Sequence, residues 1–247
     1  MKKKLNVFAV AAALCLWAFA LPARSQGQGG GAEGRQRVVL HTTEGDIVIA
    51  LSDNTPVHRD NFLRLVETHF YDSLLFHRVV RQFMIQSGDP ESRHAEPGAT
   101  LGEGELPYTL EPEFRVPRLY HRRGAVAMAR EADEQNPERR SSSCQFYIVR
   151  GKRFSSKDLD MVEQHVDSMT HGQAHFTDQM RRDYRRLGGA PQLDGQYTVF
   201  GEVVDGMDVV ERIQQTDTDD YDRPVSDVRI LKATPLGREG QATSEQR

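Results

Sequence analysis

The sequence predicts a mainly β domain: a closed, eight-stranded antiparallel barrel capped by two helices, with a helical insertion on its surface. Three observations carry this. Short runs rich in β-branched and aromatic residues recur along the chain, each bounded by turn residues. Only two helical patterns interleave with them, and no strand–helix–strand rhythm appears. One long charged segment breaks the alternation.

The elements follow in order. MKKK is a basic leader, LNVFAVAAALCLWAFAL a short apolar run, and ALPARSQ supplies small residues, so residues 1–25 read as a cleavable secretory signal peptide. A lipoprotein or an uncleaved anchor is less favoured: Leu14 precedes Cys15 where lipidation wants a small residue, and the run is short for a membrane span. Residues 26–36 read as a Gly/Gln-rich linker. RVVLHTTEGDIVIAL reads as two strands around a turn at Glu44–Gly45–Asp46. Thr55 is placed as an N-cap with Pro56 opening a helix, and Phe62, Leu65, Val66 and His69 recur at helical spacing.

FHRVVRQFMIQSGDP, residues 76–90, reads as two strands with a bend near Arg81–Gln82. A polar loop runs from Ser87 to about Leu119. GAVAMA and CQFYIV are short strands joined by a polar loop. Residues 152–190 form the insertion, with Leu159, Val162 and Val166 on one helical stripe. VFGEVVDG is a strand and turn, MDVVERIQQT a second capping helix and VSDVRILKAT the last strand. The domain is drawn as 37–233, with a disordered tail over 234–247.

Charge and cysteine usage narrow the function. The formal charge is −4 and becomes −8 for a chain lacking residues 1–25, because Lys2, Lys3, Lys4 and Arg24 leave with no acid. An acidic surface disfavours nucleic acid and anionic membranes as partners, and no membrane span is expected after cleavage. Cys144 is then the only cysteine, so it forms no internal disulfide and is best kept buried. His165, His171 and His175 lack a carboxylate-plus-histidine pattern, so no metal is expected. MRRDYRR reads as a solvated basic face. No cofactor motif is present.

The stretch at 76–90 raises the chemical question. It holds a cation, an aromatic, a thioether and an amide on stiff strands, with no candidate nucleophile. Such a set suits a reaction that breaks no bond. FHRVVRQFMIQSGDP closely resembles the signature of cyclophilin-type peptidyl-prolyl cis-trans isomerases; SSCQFYIV and LDGQYTVFGEVVDGMDVVERI resemble that family's later blocks, in order and spacing. The resemblance covers roughly residues 37–233 and implies the cyclophilin-like barrel.

It also implies an activity. Twisting an X–Pro amide must overcome a barrier of about 18–20 kcal/mol. A donor that meets the amide nitrogen only when conjugation is lost lowers that barrier by differential binding. Arg78, permanently cationic and rich in N–H groups, is the catalytic candidate. Phe83 and Met84 suit an apolar socket for the proline ring, and Tyr147 and Leu193 complete it by resemblance. By resemblance too, Gln86 holds the substrate backbone and Gln145 supports the site. Ala129 and Arg130 match positions along the substrate groove, Ala129 through its small size and Arg130 through its main chain; the Arg130 guanidinium is expected to favour acidic residues before the proline.

Departures from the family pattern carry expectations. Ser87 replaces a glycine. Gln192 stands where cyclosporin-binding members carry tryptophan, so cyclosporin should bind weakly. Tyr197 replaces a histidine and keeps a ring in the pocket wall. The loop Glu91–Pro107 is longer than usual. The expected substrates are proline-containing unfolded or extended polypeptides of a periplasmic or otherwise exported setting, and the enzyme is expected to be monomeric. The rivals are a peptide-binding chaperone without catalysis and a barrel that displays the insertion to a partner. On the isomerase reading, deleting the insertion should spare turnover.

Overall fold

The computed structural model describes residues 34–238. The expected signal peptide and most of the expected linker lie outside the described residues, as does the end of the expected tail.

The first hairpin forms where Val38, Leu40, Ile47, Ile49 and Leu51 recur at every second position and enter the main core, while Val39 and Ala50 between them are buried outside that cluster. Its strands are β1 (Arg37–Thr42) and β2 (Gly45–Leu51); the turn sits at Thr43–Glu44, one residue earlier than expected. Helix α1 (Pro56–Glu67) follows. Thr55 stands at the N-cap but gives no side-chain cap; its hydroxyl donates to Ser52 O at 3.4 Å. Phe62, Leu65 and Val66 are buried as expected. His69 is not on that stripe, because the helix ends at Glu67 and His69 adopts a left-handed φ of 58° with an exposed ring.

Strands β3 (Arg78–Val80) and β4 (Met84–Ser87) form the second hairpin, turned by Gln82 at φ 59°. Two-residue strands β5 (Thr109–Leu110) and β7 (Ser141–Ser142) pair apart from the main sheet. Between them runs β6 (Ala125–Met128), and β8 (Phe146–Val149) follows. The insertion holds α2 (Ser156–Thr170) and α3 (Asp178–Arg186). Ser155 and Asp158 make a reciprocal capping box at the start of α2, and His171 in the left-handed conformation ends it. Then come β9 (Val199–Asp205), α4 (Met207–Gln214) and β10 (Ile230–Leu236). β10 pairs with β1 as far as Leu236, three residues past the domain boundary drawn from sequence.

Eight strands form one antiparallel sheet in the order β10-β1-β2-β9-β6-β8-β4-β3. The expected closed barrel is therefore a curled, half-closed sheet, since no ladder joins β3 to β10. The two ends meet only through an isolated bridge, Leu75 to Arg229, and hydrogen bonds such as Phe76 N to Val228 O at 2.8 Å. The concave face encloses the main core. Phe62 is its centre, with ring centroids 4.9 Å from Tyr71, 5.3 Å from Phe146 and 5.2 Å from Phe200. Cys144 is a buried free thiol beside this core, and burial pushes its pKa up to about 12, so it stays protonated.

Ser87 causes no strain, because the left-handed position falls on Gly88 instead. Ser87 lies in β4 and donates to Leu75 O at 2.8 Å. Gly88 has φ +106°, and a Cβ there would lie 2.2 Å from Cys144 O and 2.7 Å from Gln145 Cα. Backbone is the obstacle, so no rotamer change relieves it. Gly88→Ala should lower unfolding stability by more than about 2 kcal/mol in urea denaturation. A loss below about 0.5 kcal/mol would contradict this close approach.

Candidate active site

Alternation along β4 and β8 sorts the side chains onto two faces. Ile85 and Ile148 point into the core; Met84, Gln86, Tyr147 and Val149 point out. Register then assembles the outer face. Arg78 is opposite Gln86, Gln86 opposite Tyr147, and Tyr147 opposite Ala127. The short side chains of Ala125 and Ala127 leave the outer face low beside Met84 and Tyr147. Phe83, Ala129, Leu193 and Tyr197 surround this apolar floor as half-buried walls. Nine of the residues singled out from sequence thus bear on one surface: Arg78, Phe83, Met84, Gln86, Ala129, Gln145, Tyr147, Leu193 and Tyr197.

Arg78 stands at the rim with its side chain 45% exposed. Its Nη1 is 3.5 Å from Gln86 Oε1, long for a hydrogen bond, and its Nε is 3.6 Å from Asp222 Oδ2. Neither contact saturates the guanidinium. Gln86 Nε2 donates to Gln145 Oε1 at 2.9 Å, and Gln145 Nε2 donates to the carbonyls of Gly102 and Gly104, both at 2.9 Å. The donors of this chain all point the same way, which leaves Gln86 Oε1 facing Arg78. Asp89 anchors the far end, accepting from Gly102 N at 2.5 Å and Glu91 N at 2.7 Å.

Arg130 is the exception among the expected residues. Its guanidinium lies 4.5 Å above the Tyr197 ring, donates to Gln196 O at 2.8 Å and pairs with Asp133 at 2.6 Å. The side chain is 3% exposed, so it cannot select acidic substrate residues. It braces Tyr197 instead. Ala129 spends its own main chain internally, accepting from Ser142 N and donating to Gln145 O, which leaves its small side chain as its contribution to the surface.

Three features escaped sequence reasoning: Asp222, the network beneath Tyr147, and His77. Asp222, 144 residues beyond Arg78, has no local signal; its carbonyl also covers the edge of β3, accepting from Val79 N at 2.8 Å. His121 lies beneath the socket. Its Nδ1 faces Asp194 Oδ1 at 2.9 Å, which leaves Nε2 to accept from Tyr147 OH at 3.0 Å. Tyr184, on α3, donates to Asp194 Oδ2 at 2.5 Å. Burial, reinforced by Asp194, holds the Tyr184 phenol well above its usual range, so it remains a donor.

The network Tyr184–Asp194–His121–Tyr147 therefore wires the insertion to the socket floor. Deleting the insertion would remove Tyr184 and leave the fully buried Asp194 carboxylate short of one donor.

His77 is the third. It is buried beside Arg78, and neither ring nitrogen has a hydrogen-bond partner; the Gln145 amide is committed to Gly102 and Gly104. Burial lowers its pKa to about 4, against partial compensation from Asp89. His58, Glu113 and Ser141 form a second polar triad, with His58 Nδ1 2.7 Å from Glu113 and Nε2 2.9 Å from Ser141. All three are buried, so the serine is a structural tie and not a nucleophile. Among the described residues no group of histidine, cysteine and carboxylates could hold a metal, and no helix is long and apolar enough to cross a membrane.

The family model for cyclophilin-type peptidyl-prolyl cis-trans isomerases matches residues 37–235. The chain belongs to the cyclophilin-type isomerase family. Its relatives include proteins provisionally named as peptidyl-prolyl cis-trans isomerases. One from Staphylococcus aureus strain COL is 32% identical over 80% of this chain and 90% of its own. One from Staphylococcus haemolyticus is 33% identical over 78% of this chain and 88% of its own. A solved cyclophilin-type isomerase of Cryptosporidium parvum superposes with a TM-score of 0.59 at 22% identity, covering 82% of this chain and 98% of its own. The same protein in the presence of the dipeptide Ala-Pro gives a TM-score of 0.56. This cyclophilin is thus a prolyl isomerase with the cyclophilin fold.

The depressed His77 pKa predicts a pH dependence. Above about pH 6.5, native and unfolded states are both neutral at this residue. As pH falls from 6.5 to 4, the unfolded chain takes up a proton and the native state does not, so stability falls by roughly 3 kcal/mol from this group alone. Urea titrations of the wild type and His77→Phe over that range should show the variant losing this part of the slope. Equal slopes would show that His77 is hydrated and titrates normally.

Proposed function

We propose that this cyclophilin twists X–Pro amides electrostatically, with Arg78 as the donor and no covalent intermediate. The proline ring sits on Met84 and Tyr147, between Phe83, Leu193 and Tyr197. Phe83, Met84 and Leu193 offer no hydrogen bond that would hold the planar amide, and the Tyr147 hydroxyl is committed to His121. The Gln86 side chain, oriented by Gln145, holds the peptide backbone on one side while the other carbonyl swings. As conjugation lapses, the amide nitrogen lone pair becomes an acceptor, and the Arg78 guanidinium meets it. The observation that carries this reading is the placement of an unsaturated guanidinium at the rim of an apolar face, on the same side of the sheet as both glutamines.

The substrates we infer are unfolded or extended proline-containing chains in an exported, periplasmic setting. The basic and apolar leader of the sequence supports export. Weak cyclosporin binding follows from Gln192, which offers an amide where an indole would supply the stacking surface. A monomer suffices, because all nine surface residues come from one chain.

Arg78→Ala should lower kcat/KM on a proline tetrapeptide more than tenfold. Its unfolding midpoint should move little, because the side chain is half exposed and its ion pair with Asp222 is a surface one. Turnover within twofold of the wild type would overturn the assignment of Arg78.

A further inference from the structure

The insertion does more than brace the socket; it builds a second wall beside it. Its base is clamped onto the domain by backbone contact. Gly189 N donates to Lys152 O at 3.0 Å, and a Cβ on Gly151 would lie 2.3 Å from Gly189 Cα. This clamp brings Lys152 and Phe154, together with Val162 of α2, up to the bend of the β3–β4 hairpin. The result is a groove of about 490 Å³ lined by Arg81, Phe83, Lys152, Phe154, Val162 and Gln192, with Gln82 and Gly189 completing it. Phe83 is shared with the prolyl socket, and Gln192 precedes Leu193 of its wall. The groove is therefore continuous with the socket.

Its charge is unlike that of the protein. The whole chain is acidic, yet no carboxylate lines this groove, and two cations do. Lys152 is exposed, its ammonium 5.4 Å from the Phe154 ring centroid. Arg81 has a side chain 64% exposed; it pairs with Asp217, itself 92% exposed, at 3.3 Å and makes one long hydrogen bond to Gln215 O at 3.5 Å. Such a rim pair is nearly free to exchange partners. The floor between the cations is apolar: Phe83, Phe154 and Val162 are all half-buried.

We propose that this groove is a substrate subsite for the polypeptide flanking the target proline, selecting an acidic residue next to an apolar one. Arg81 and Lys152 take the carboxylate, and Phe154 and Val162 take the apolar neighbour. The inference rests on the isomerase reading of the socket and adds to it the substrate class preferred. It places an acidic preference on residues that can reach a ligand, which the buried Arg130 cannot. The selection acts through binding, since the groove lies to one side of the twisting amide and holds planar and twisted peptides alike.

The test uses the full-length mature enzyme and fluorescent proline peptides that carry Glu, Gln or Lys at each of the three positions on either side of the proline. Affinity is read by anisotropy and turnover by a coupled isomerisation assay. At one flank the Glu peptide should bind at least fivefold more tightly than the Lys peptide at low salt. The ratio should appear in KM and not in kcat, and it should shrink at high salt. Charge reversal with Lys152→Glu and Arg81→Glu together should invert that ratio, and Phe154→Ala should weaken the Glu peptide without inverting it. No Glu-to-Lys preference at any position, or a preference that survives the double reversal, would overturn the inference. The failures are separable: loss of the charge preference with turnover intact sinks only the subsite, whereas absent turnover on every peptide sinks the isomerase reading, and the anisotropy ratios still decide the groove.

Discussion

The register of β4 between β3 and β8 is the constraint on which everything else stands. β4 is only four residues long, yet it has a task on each face. Ile85 belongs to the closed core with Ile148 and Val126, whereas Met84 and Gln86 belong to the site. A slip of one residue would drive Gln86 into the core and lift Ile85 into the socket. The core opposes that slip through the full burial of Ile85, and Gly88 opposes it by packing its backbone onto Cys144 and Gln145 where no side chain fits. The geometry of the candidate site is thus inherited from packing on the far side of the same strand.

Polar order on the outer face depends on that register. Gln86 meets Gln145 only because β4 and β8 are aligned, and Gln145 is oriented by the carbonyls of Gly102 and Gly104, the first of which Asp89 anchors through its N–H. The donors run in one direction, so the last carbonyl oxygen is left for Arg78. A buried network of this kind sets the orientation of an amide that would otherwise flip freely. The apolar side of the site is supported independently, by His121 and Asp194 beneath Tyr147 and by Arg130 across Tyr197. On that second side Tyr184 of the insertion supplies the outermost donor.

Much of this was legible in the sequence because it is local. The residues at 76–90 carry Arg78, Phe83, Met84 and Gln86 within one hairpin, and period-two patterning assigns them to faces. The helices announced themselves through Thr55–Pro56 and through Leu159, Val162 and Val166. What escaped is what depends on distant partners. Asp222 meets Arg78 across a loop, His121 meets Tyr147 through Asp194, and Arg130 turns inward because Asp133 and Tyr197 are both available to it. A guanidinium in a sequence gives no sign of which partner will claim it. Closure of the barrel failed for a similar reason: the ends of the sheet meet through segments flanking β3 and β10, and the strand pattern does not extend into them.

The central claim is that Arg78 binds the twisted amide better than either planar form. The most direct measurement is nuclear magnetic resonance exchange on a saturating proline peptide, comparing Arg78→Gln with the wild type. A titration up to saturation gives the affinity for the planar peptide, and the saturated sample gives the cis–trans rate on the enzyme. The account predicts that affinity changes less than threefold while the bound interconversion rate falls more than tenfold. An affinity that falls as far as the rate, or a bound rate that is unchanged, would contradict it.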